Sequence, residues 1–441
     1  MSRTGSILRW ELWASLLLLG AGTAAHAQLH IEITSGVQRP VPIAVVPFSW
    51  QGTGASPFDL AKLVATDLGE SGRFAPLPES DMVARPTDPL NVNFRNWRVV
   101  KVDNLLIGRL HQDGPDSFTA EFNLFDVLRG EQLLGFRLTS SRANLRAAGH
   151  RISDMVYKEL TGIKGVFSTR IAYVTENRSG DPAKRYRLIV ADADGANARV
   201  VTASPQPLMS PAWSPDGRRL AYVSFEGSHS AIYVQTLSTG TRETISNRSG
   251  VNGAPAFSPD GRELALTLSS KSGNLDVYTL NLASMSLKRI TRNPAIDTEP
   301  AWGPSGKMLY FTSDRAGGPQ IFRVAAEPGG QPQRITFEGN YNARARVSPD
   351  GTSLAVVHQE RSNYRIALVD IKTGLTQVLS RGELDESPSF APNGAKIIYA
   401  TRTKNGEGVL ASVSTDGRIR QQIESVAGDV REPVWSPFPL P

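Results

Sequence analysis

A seven-residue motif recurs from residue 211 to the end of this chain at an almost constant interval. Its third residue is aromatic or apolar, and the next four are Ser-Pro-Asp-Gly or a close variant. Successive third residues are 44, 45, 45, 43 and 45 positions apart, which indicates an array of similar structural units. The copies are Pro211–Gly217, Pro255–Gly261, Pro300–Gly306, Ala345–Gly351, Pro388–Gly394 and the truncated Pro433–Pro437.

Each unit has the pattern of four short strands. In the first unit one strand ends at Trp213, and the runs 220–224, 231–237 and 243–246 supply the others. The Ser-Pro-Asp-Gly segment predicts a tight turn, because proline presets φ, aspartate bonds back to the backbone and glycine accepts a positive φ. A four-stranded unit of about 45 residues is typical of a β-propeller blade.

The order of the strands predicts how the ring closes. The series starts with a second strand and ends with a first strand, so the run 434–436 is expected to complete the blade that begins at Ile171. We therefore predict that residues 166–441 form an all-β six-bladed propeller, closed by the C-terminal strand. The six second strands begin at Ile171, Leu220, Leu264, Leu309, Leu354 and Ile397.

The first 27 residues have the features of a signal peptide. Arg3 and Arg9 precede the apolar stretch Leu12–Leu19, and Ala25–Ala27 has the small-x-small pattern of a cleavage site. Cleavage after Ala27 would leave 414 residues and lower the formal net charge from +6 to +5. We therefore expect an exported protein, and so small a charge excess provides no basic footprint for nucleic acid.

Residues 28–165 carry no repeat and are predicted to form a small N-terminal α/β domain. One helix is indicated by apolar residues at i, i+4 and i+8 from Leu60, with Ser56 as its N-cap and Pro57 in its first turn. A second has an apolar face over 145–160 and is expected to end at Gly162. The predicted strands cover 30–34, 42–48, 104–110, 118–127 and 133–140.

Motifs for chemistry are few in this sequence. The absence of cysteine excludes disulfides, thiolate metal sites and a cysteine nucleophile. Segment 52–57 resembles a phosphate loop but lacks a third glycine, and segment 192–197 resembles a calcium loop without its bidentate glutamate. There is no Gly-x-Ser-x-Gly elbow, and the scattered histidines are interpreted as surface or strand residues. We predict no enzyme activity, no cofactor and no metal.

The repeat also predicts a ring of residues close to the propeller axis. The segments that precede the first strand of each blade should emerge on one face as loops. In each copy of the motif, we take the residue three positions before the aromatic or apolar residue. These six residues form the ring, and they are mixed in charge. Its members are Ser210, Ala254, Glu299, Arg344, Ser387 and Glu432.

Over essentially the whole mature chain, these features resemble the TolB family of periplasmic propeller proteins of the Tol-Pal system. The repeat alone is common to many propellers, whereas its combination with the leading α/β domain is specific to this family. The segments that carry the resemblance are Ser35–Val37, Ile43–Phe48, Arg170–Val174, Met209–Gly217, Ala221–Glu226, Asn252–Gly261, Thr298–Trp302 and Ser414–Arg418.

The resemblance implies a monomeric, non-enzymatic scaffold in the periplasm. Proteins of this family bind the outer-membrane lipoprotein Pal on the axial face of the propeller and the inner-membrane protein TolA through the mature N-terminus. Such a protein supports outer-membrane integrity and constriction during cell division, and it is peripheral to the outer membrane through Pal.

The resemblance also assigns site residues. The family's Pal-facing segments match Val251, Asn252, Gly253, Ala254, Thr298 and Glu299, and Arg344, Glu386 and Glu432 are included because their segments should converge on the same channel mouth. The family often has histidine where this chain has Val251, which removes a hydrogen-bond donor. The TolA-binding segment corresponds to Gln28, Leu29, His30, Ile31, Glu32, Ile33 and Thr34.

Two other functions remain open at this point. A glycan-binding or substrate-binding propeller would need aromatic side chains on the axial segments, where Tyr341 is the main candidate. A cryptic hydrolase would need a nucleophile and a base brought together from distant parts of the chain.

Overall fold

The structure, a computed structural model, describes residues 39–227 and 229–440. The predicted signal peptide (1–27), the predicted strand 30–34 and the predicted TolA-binding segment (28–34) lie outside the described residues. These three interpretations therefore stay predictions, as does the domain boundary near residue 165.

The N-terminal α/β domain is built on one six-stranded mixed sheet with the strand order β3-β1-β4-β5-β6, in which β2 also pairs with β4. Strand β1 is parallel to β3 and β4, whereas β4, β5 and β6 are antiparallel. The elements are β1 (Val41–Val45), β2 (Ser49–Gln51), α1 (Leu60–Glu70), β3 (Phe74–Pro76), α2 (Phe94–Val99), β4 (Asn104–Gly114), β5 (Ser117–Asp126), β6 (Glu131–Ser140) and α3 (Leu145–Thr161).

Helices α1 and α3 pack together because each turns an apolar stripe toward the sheet. Val64 of α1 and Ile152 of α3 are fully buried in one cluster with Leu106 of β4. Helix α3 ends as predicted, since Gly162 adopts a left-handed φ of 74° and its N–H bonds to the Lys158 carbonyl.

The predicted N-cap of α1 is wrong. Asp59, and not Ser56, caps the helix, because the Asp59 carboxylate accepts the Lys62 N–H at 3.0 Å. The Ser56 hydroxyl instead donates to the Phe58 carbonyl before the helix begins. The short elements β2, β3 and α2 were not predicted, since none is long enough to show a periodic apolar pattern.

Six four-stranded antiparallel sheets form the propeller, as the repeat predicts. The first begins with β7 (Arg170–Glu176), β8 (Tyr186–Asp192) and β9 (Arg199–Ser204). The next two contain β10 (Leu208–Trp213), β11 (Arg219–Ser224), β12 (Ala231–Thr236), β13 (Arg242–Ser246), β14 (Asn252–Phe257), β15 (Glu263–Ser269), β16 (Leu275–Asn281) and β17 (Leu287–Arg289).

The remaining blades have the same order of inner to outer strands. They contain β18 (Asp297–Trp302), β19 (Met308–Ser313), β20 (Gln320–Ala325), β21 (Gln333–Arg334), β22 (Asn342–Val347), β23 (Ser353–Glu360), β24 (Asn363–Asp370), β25 (Thr376–Val378), β26 (Glu386–Phe390), β27 (Lys396–Arg402), β28 (Gly408–Ser414), β29 (Arg420–Ile423) and β30 (Asp429–Trp435).

The C-terminal strand closes the ring in the predicted way. Strand β30 pairs antiparallel with β7, and Trp435 is opposite Ile171 in the register. The Trp435 indole N–H donates to the Thr169 hydroxyl at 2.8 Å, and the Ser436 N–H donates to the Arg170 carbonyl at 2.8 Å. The first blade therefore joins strands from both ends of the propeller sequence, which confirms the predicted six-bladed fold.

The N-terminal domain contacts one face of the propeller, which we call the turn face because the Ser-Pro-Asp-Gly turns lie there. Asn393 in one such turn donates to the Lys164 carbonyl at 3.0 Å. Lys396, which begins β27, donates to the Glu70 carbonyl at 2.7 Å. The opposite face, where the inner strands begin, is the axial face, and these contacts leave it open in the described part of the chain.

Candidate binding site on the axial face

Every inner strand, namely β10, β14, β18, β22, β26 and β30, contains the same local irregularity. The pairing register shifts within each of these strands, as between Gly253 and Ala256 of β14. At the shift stands a residue other than glycine with a left-handed φ between 46° and 56°. These residues are Ser210, Ala254, Glu299, Arg344, Ser387 and Glu432, which we call the axial ring.

The axial ring is the set of residues that the repeat alignment predicts, but its setting is not the expected one. The members lie inside strands at β-bulges and not on loops. A left-handed conformation costs a residue other than glycine about 1 to 3 kcal/mol, so six such residues store considerable strain at one place. Strain that recurs in every blade indicates a position shaped for a function as well as for folding.

The axial ring surrounds a cavity on the propeller axis. Its empty volume is about 450 Å³, including open solvent at the mouth. All six members of the ring line it, together with Pro211, Pro255, Pro300, Arg346, Pro433 and Val434.

An ion-pair network around Arg344 links three blades across the cavity. Arg344 Nε lies 2.8 Å from Glu299 Oε1, and Arg344 Nη2 lies 3.3 Å from Glu432 Oε1. Arg344 also donates to the Ser387 hydroxyl, and Glu432 accepts the backbone N–H of Ser210. Burial alone would lower the pKa of Arg344, but the carboxylates of Glu432, Glu299 and Glu386 outweigh it and raise that pKa above its ordinary value.

Glu299 is held by its own strand and its neighbours. Its carboxylate accepts the Thr312 hydroxyl at 3.0 Å and the Arg344 backbone N–H at 3.1 Å. Its own backbone N–H donates to the Thr267 hydroxyl at 3.2 Å. The Glu299 carboxylate, which belongs to the residues predicted to face Pal, is therefore already engaged within the protein.

The other residues predicted to bind Pal differ in solvent exposure. Val251 is 42% exposed, whereas Asn252 is fully buried and its side chain bonds to Ser246 and to the Ser230 carbonyl. Gly253 and Thr298 are half-buried beside the axial ring. Glu386 begins β26 and contributes through its charge to the field at Arg344.

Tyr341, the candidate aromatic of the glycan-binding alternative, does not line the cavity. Its ring packs edge-on against Tyr364 with centroids 5.1 Å apart, so its position is explained by packing within one blade.

A second cluster of polar side chains lies between the N-terminal domain and the turn face. His150 of α3, interpreted from sequence as a surface or strand residue, is instead 2% exposed. Its Nδ1 lies 2.8 Å from Asp67 Oδ2, and its Nε2 lies 3.5 Å from Asp194 Oδ2 on the β8–β9 turn. The three could present metal ligands, but Arg146 also pairs with Asp194, so the cluster has its own compensating charge.

The two parts of this structure both match family models. The model described as TolB beta propeller domain matches residues 157–439, and that described as TolB amino-terminal domain matches residues 29–133. The chain belongs to the TolB family. This confirms the resemblance stated from sequence.

Individual TolB proteins are similar to this chain over almost its whole length. Proteins called Tol-Pal system protein TolB from Xanthomonas oryzae pv. oryzae (strain MAFF 311018) and Xanthomonas euvesicatoria pv. vesicatoria (strain 85-10) are each 47% identical over 435 residues, covering 98% of both chains. The crystal structure of TolB from Acinetobacter baumannii is 43% identical, with a TM-score of 0.84 over 90% of this chain and 97% of that one.

No helix among the described residues of this TolB-family protein is long and apolar enough to cross a membrane.

Arg346 lines the axial cavity but was not predicted from sequence. Aligning the residue just before the aromatic position in each repeat would have identified it, because the other copies are uncharged there.

Proposed function

We propose that this protein is a non-enzymatic periplasmic scaffold of the Tol-Pal system. It binds the lipoprotein Pal on its axial face and TolA through the segment 28–34, and it thereby supports outer-membrane integrity and constriction during cell division. The observation that carries the Pal assignment is the axial ring, where six strained residues surround one cavity mouth on the face opposite the N-terminal domain.

The shape of the axial face suits a protein partner. A stable complex buries about 800 Å² on each side, which is far larger than the mouth of the cavity alone. The contact must therefore extend to the segments around the mouth, including the exposed apolar Val251 and the half-buried Ala254 and Thr298. Small side chains at Gly253 and Ala254 allow the partner's backbone to approach closely.

The predicted residues then have different roles in this proposal. Val251 contacts the partner through its exposed apolar side chain. Asn252 positions the segment, since its amide bonds to the Ser230 and Arg248 carbonyls at 2.9 and 2.6 Å. The network of Glu299, Arg344 and Glu432 presents fixed charges that a partner must complement.

The polar cluster at the domain interface supports a non-enzymatic function. The Ser153 hydroxyl donates to Asp67 at 2.6 Å, and His150 bonds to the same carboxylate oxygen. A serine nucleophile would instead have to face the histidine, with the carboxylate on the far side of the ring. The arrangement is therefore that of a buried structural network.

Calorimetric titration of Pal into the purified mature protein tests the axial assignment. Val251→Arg places a charge at the predicted interface, and we expect Pal binding to weaken about tenfold or more through desolvation of that charge. Leu375→Arg is the matched control, because Leu375 is an exposed apolar residue (67%) immediately before β25, toward the turn face. An equal loss of Pal affinity in both variants, or no loss of Pal affinity in Val251→Arg, would contradict the assignment.

The N-terminal part of the proposal is tested separately. Intact-mass measurement of protein from the periplasmic fraction should give a chain that begins at Gln28. Removing residues 28–34 should abolish TolA binding and leave Pal binding unchanged, because a terminal extended segment can add to the edge of a partner's sheet. Retention of TolA affinity by the shortened protein would refute this assignment.

A further inference from the structure

The axial cavity contains a second arginine, Arg346, which unlike Arg344 forms no ion pair with a carboxylate in the described chain. Arg346 lines the cavity two residues after Arg344 on β22. Within the described chain no carboxylate forms an ion pair with it, and its assigned hydrogen bond runs from Nη1 to the Ala345 carbonyl at 3.0 Å. Most of its guanidinium N–H groups are therefore available to a group that enters the cavity.

Comparison of the blades shows how unusual this side chain is. The equivalent residue, one position before the aromatic or apolar residue of the motif, is small or uncharged in every other inner strand. Of the six equivalent residues, Arg346 and Val434 line the cavity, and Arg346 alone among the six is charged. The equivalents are Ala212, Ala256, Ala301, Ser389 and Val434.

The charges around the cavity are unevenly distributed. Glu299 and Glu432 both lie within ion-pairing distance of Arg344, which leaves Arg346 without a carboxylate of its own. Burial lowers the pKa of Arg346 from its ordinary value, and the charges of Glu299 and Glu432 offset this only in part, since the positive charge of Arg344 acts with the burial. Arg346 is half-buried, so a hydrogen-bonding anion that joins it would compensate for the water its guanidinium has lost.

We propose that the axial cavity binds a carboxylate at Arg346. The carboxylate is either a small free molecule or an acidic side chain of a protein docked on the axial face, and the second source rests on the proposed function. A guanidinium binds a planar carboxylate through two parallel N–H donors. Glu299 and Glu432 at the mouth favour a singly charged group over a more highly charged phosphate, because each extra negative charge is repelled by both.

Titration of the mature protein into trifluoroacetate, monitored by fluorine NMR, tests the proposed carboxylate site without any partner protein. The parent should bind the probe saturably, and Arg346→Gln should weaken binding about tenfold or more by removing a charge-assisted contact. The matched control is Arg262→Gln, since the Arg262 side chain is 83% exposed on the turn face and its replacement changes the net charge equally. This control should bind like the parent.

Two results would overturn the proposal: no saturable binding to the parent, or equal affinity in the parent and Arg346→Gln. Thermal melting establishes that each variant is folded. Should Arg346→Gln fail to fold, Arg346→Lys keeps the charge and loses the paired donors, so it should weaken binding severalfold, and unchanged affinity would again overturn the proposal.

Titration of Pal into the same variants distinguishes the two sources of the carboxylate. Weaker Pal binding by Arg346→Gln than by Arg262→Gln supports an acidic side chain of the partner. Equal Pal binding, together with loss of trifluoroacetate binding, supports a free carboxylate. If Pal does not bind even the parent, the proposed function fails, whereas the trifluoroacetate result still decides the carboxylate site.

Discussion

The buried pair of His150 and Asp67 should stabilise the N-terminal domain in a pH-dependent way. The two side chains are 2% and 4% exposed, and their polar atoms are 2.8 Å apart. We predict that His150→Leu destabilises the domain strongly, because it leaves the Asp67 carboxylate buried with the Ser153 hydroxyl as its remaining side-chain donor.

The expected size of the effect follows from this burial. Removing one partner of a buried ion pair costs about 3 to 5 kcal/mol, because the other charge stays desolvated. Adding Asp67→Asn removes that charge, so the double variant should recover part of the loss. A difference between the double variant and the sum of the single variants measures the coupling of the pair.

The sign of the pH dependence comes from the pKa of His150. Burial would lower this pKa, but the hydrogen bond and charge of Asp67, together with the charge of Asp194, raise it above its ordinary value of 6.5. The stabilisation is therefore fully present below pH 6.5, the unfolded value, and is lost as the pH rises through the raised folded value. The parent and His150→Leu should differ most in mildly acidic solution and least in alkaline solution.

Urea unfolding, followed by the helical circular-dichroism signal, is the suitable assay. The α-helices of the described chain, α1 to α3, all belong to the N-terminal domain, so this signal reports on that domain. The series should run between about pH 5.5 and 8.5, which lies on both sides of the ordinary histidine pKa. Lys396, whose pKa burial lowers to about 8, also titrates here, so the comparison with His150→Leu is needed to isolate His150. If the difference in free energy of unfolding between the parent and His150→Leu does not change with pH, the reasoning is refuted.

Three further predictions concern the propeller. Deleting residues 429–441 should lower the melting temperature by more than a typical point mutation, because β7 loses one of its two partner strands. Glu299→Gln should cost about 1 to 3 kcal/mol in urea unfolding by weakening a charged hydrogen bond to Arg344. Ala254→Gly should raise the melting temperature by relieving its left-handed φ of 46°, whereas Ala256→Gly on the same strand should lower it. Identical shifts in these two glycine variants would contradict the strain argument.

The fold was predictable because its main signals are local. Each Ser-Pro-Asp-Gly turn contains its own stabilising contacts: Gly217 takes a φ of 66° and its N–H bonds to the Ser214 carbonyl at 2.8 Å. Five complete copies of the motif and a truncated sixth fix the number of blades, and the odd strand at each end fixes the closure. The N-cap of α1 was harder, since Ser56 and Asp59 are both good caps and the choice depends on how the preceding segment packs.

The side-chain networks were not predictable because their partners are distant in sequence. His150 is 83 residues from Asp67, and no periodicity relates the two. The repeat places Glu299, Arg344 and Glu432 at equivalent positions, but it does not show that one arginine bonds to both glutamates. Those pairings depend on side-chain reach across the channel, which only the closed ring defines.

The axial site and the closure of the ring depend on the same strand. Glu432 lies three residues before Trp435 on β30, so the strand that completes the first blade also contributes the second carboxylate bound to Arg344. Without this strand, Arg344 would keep Glu299 alone, and the cavity would be open between two blades. The strained axial ring is held in place by six sheets that constrain one another. A partner that binds there therefore binds the closed propeller, and its binding free energy adds to the stability of that closure.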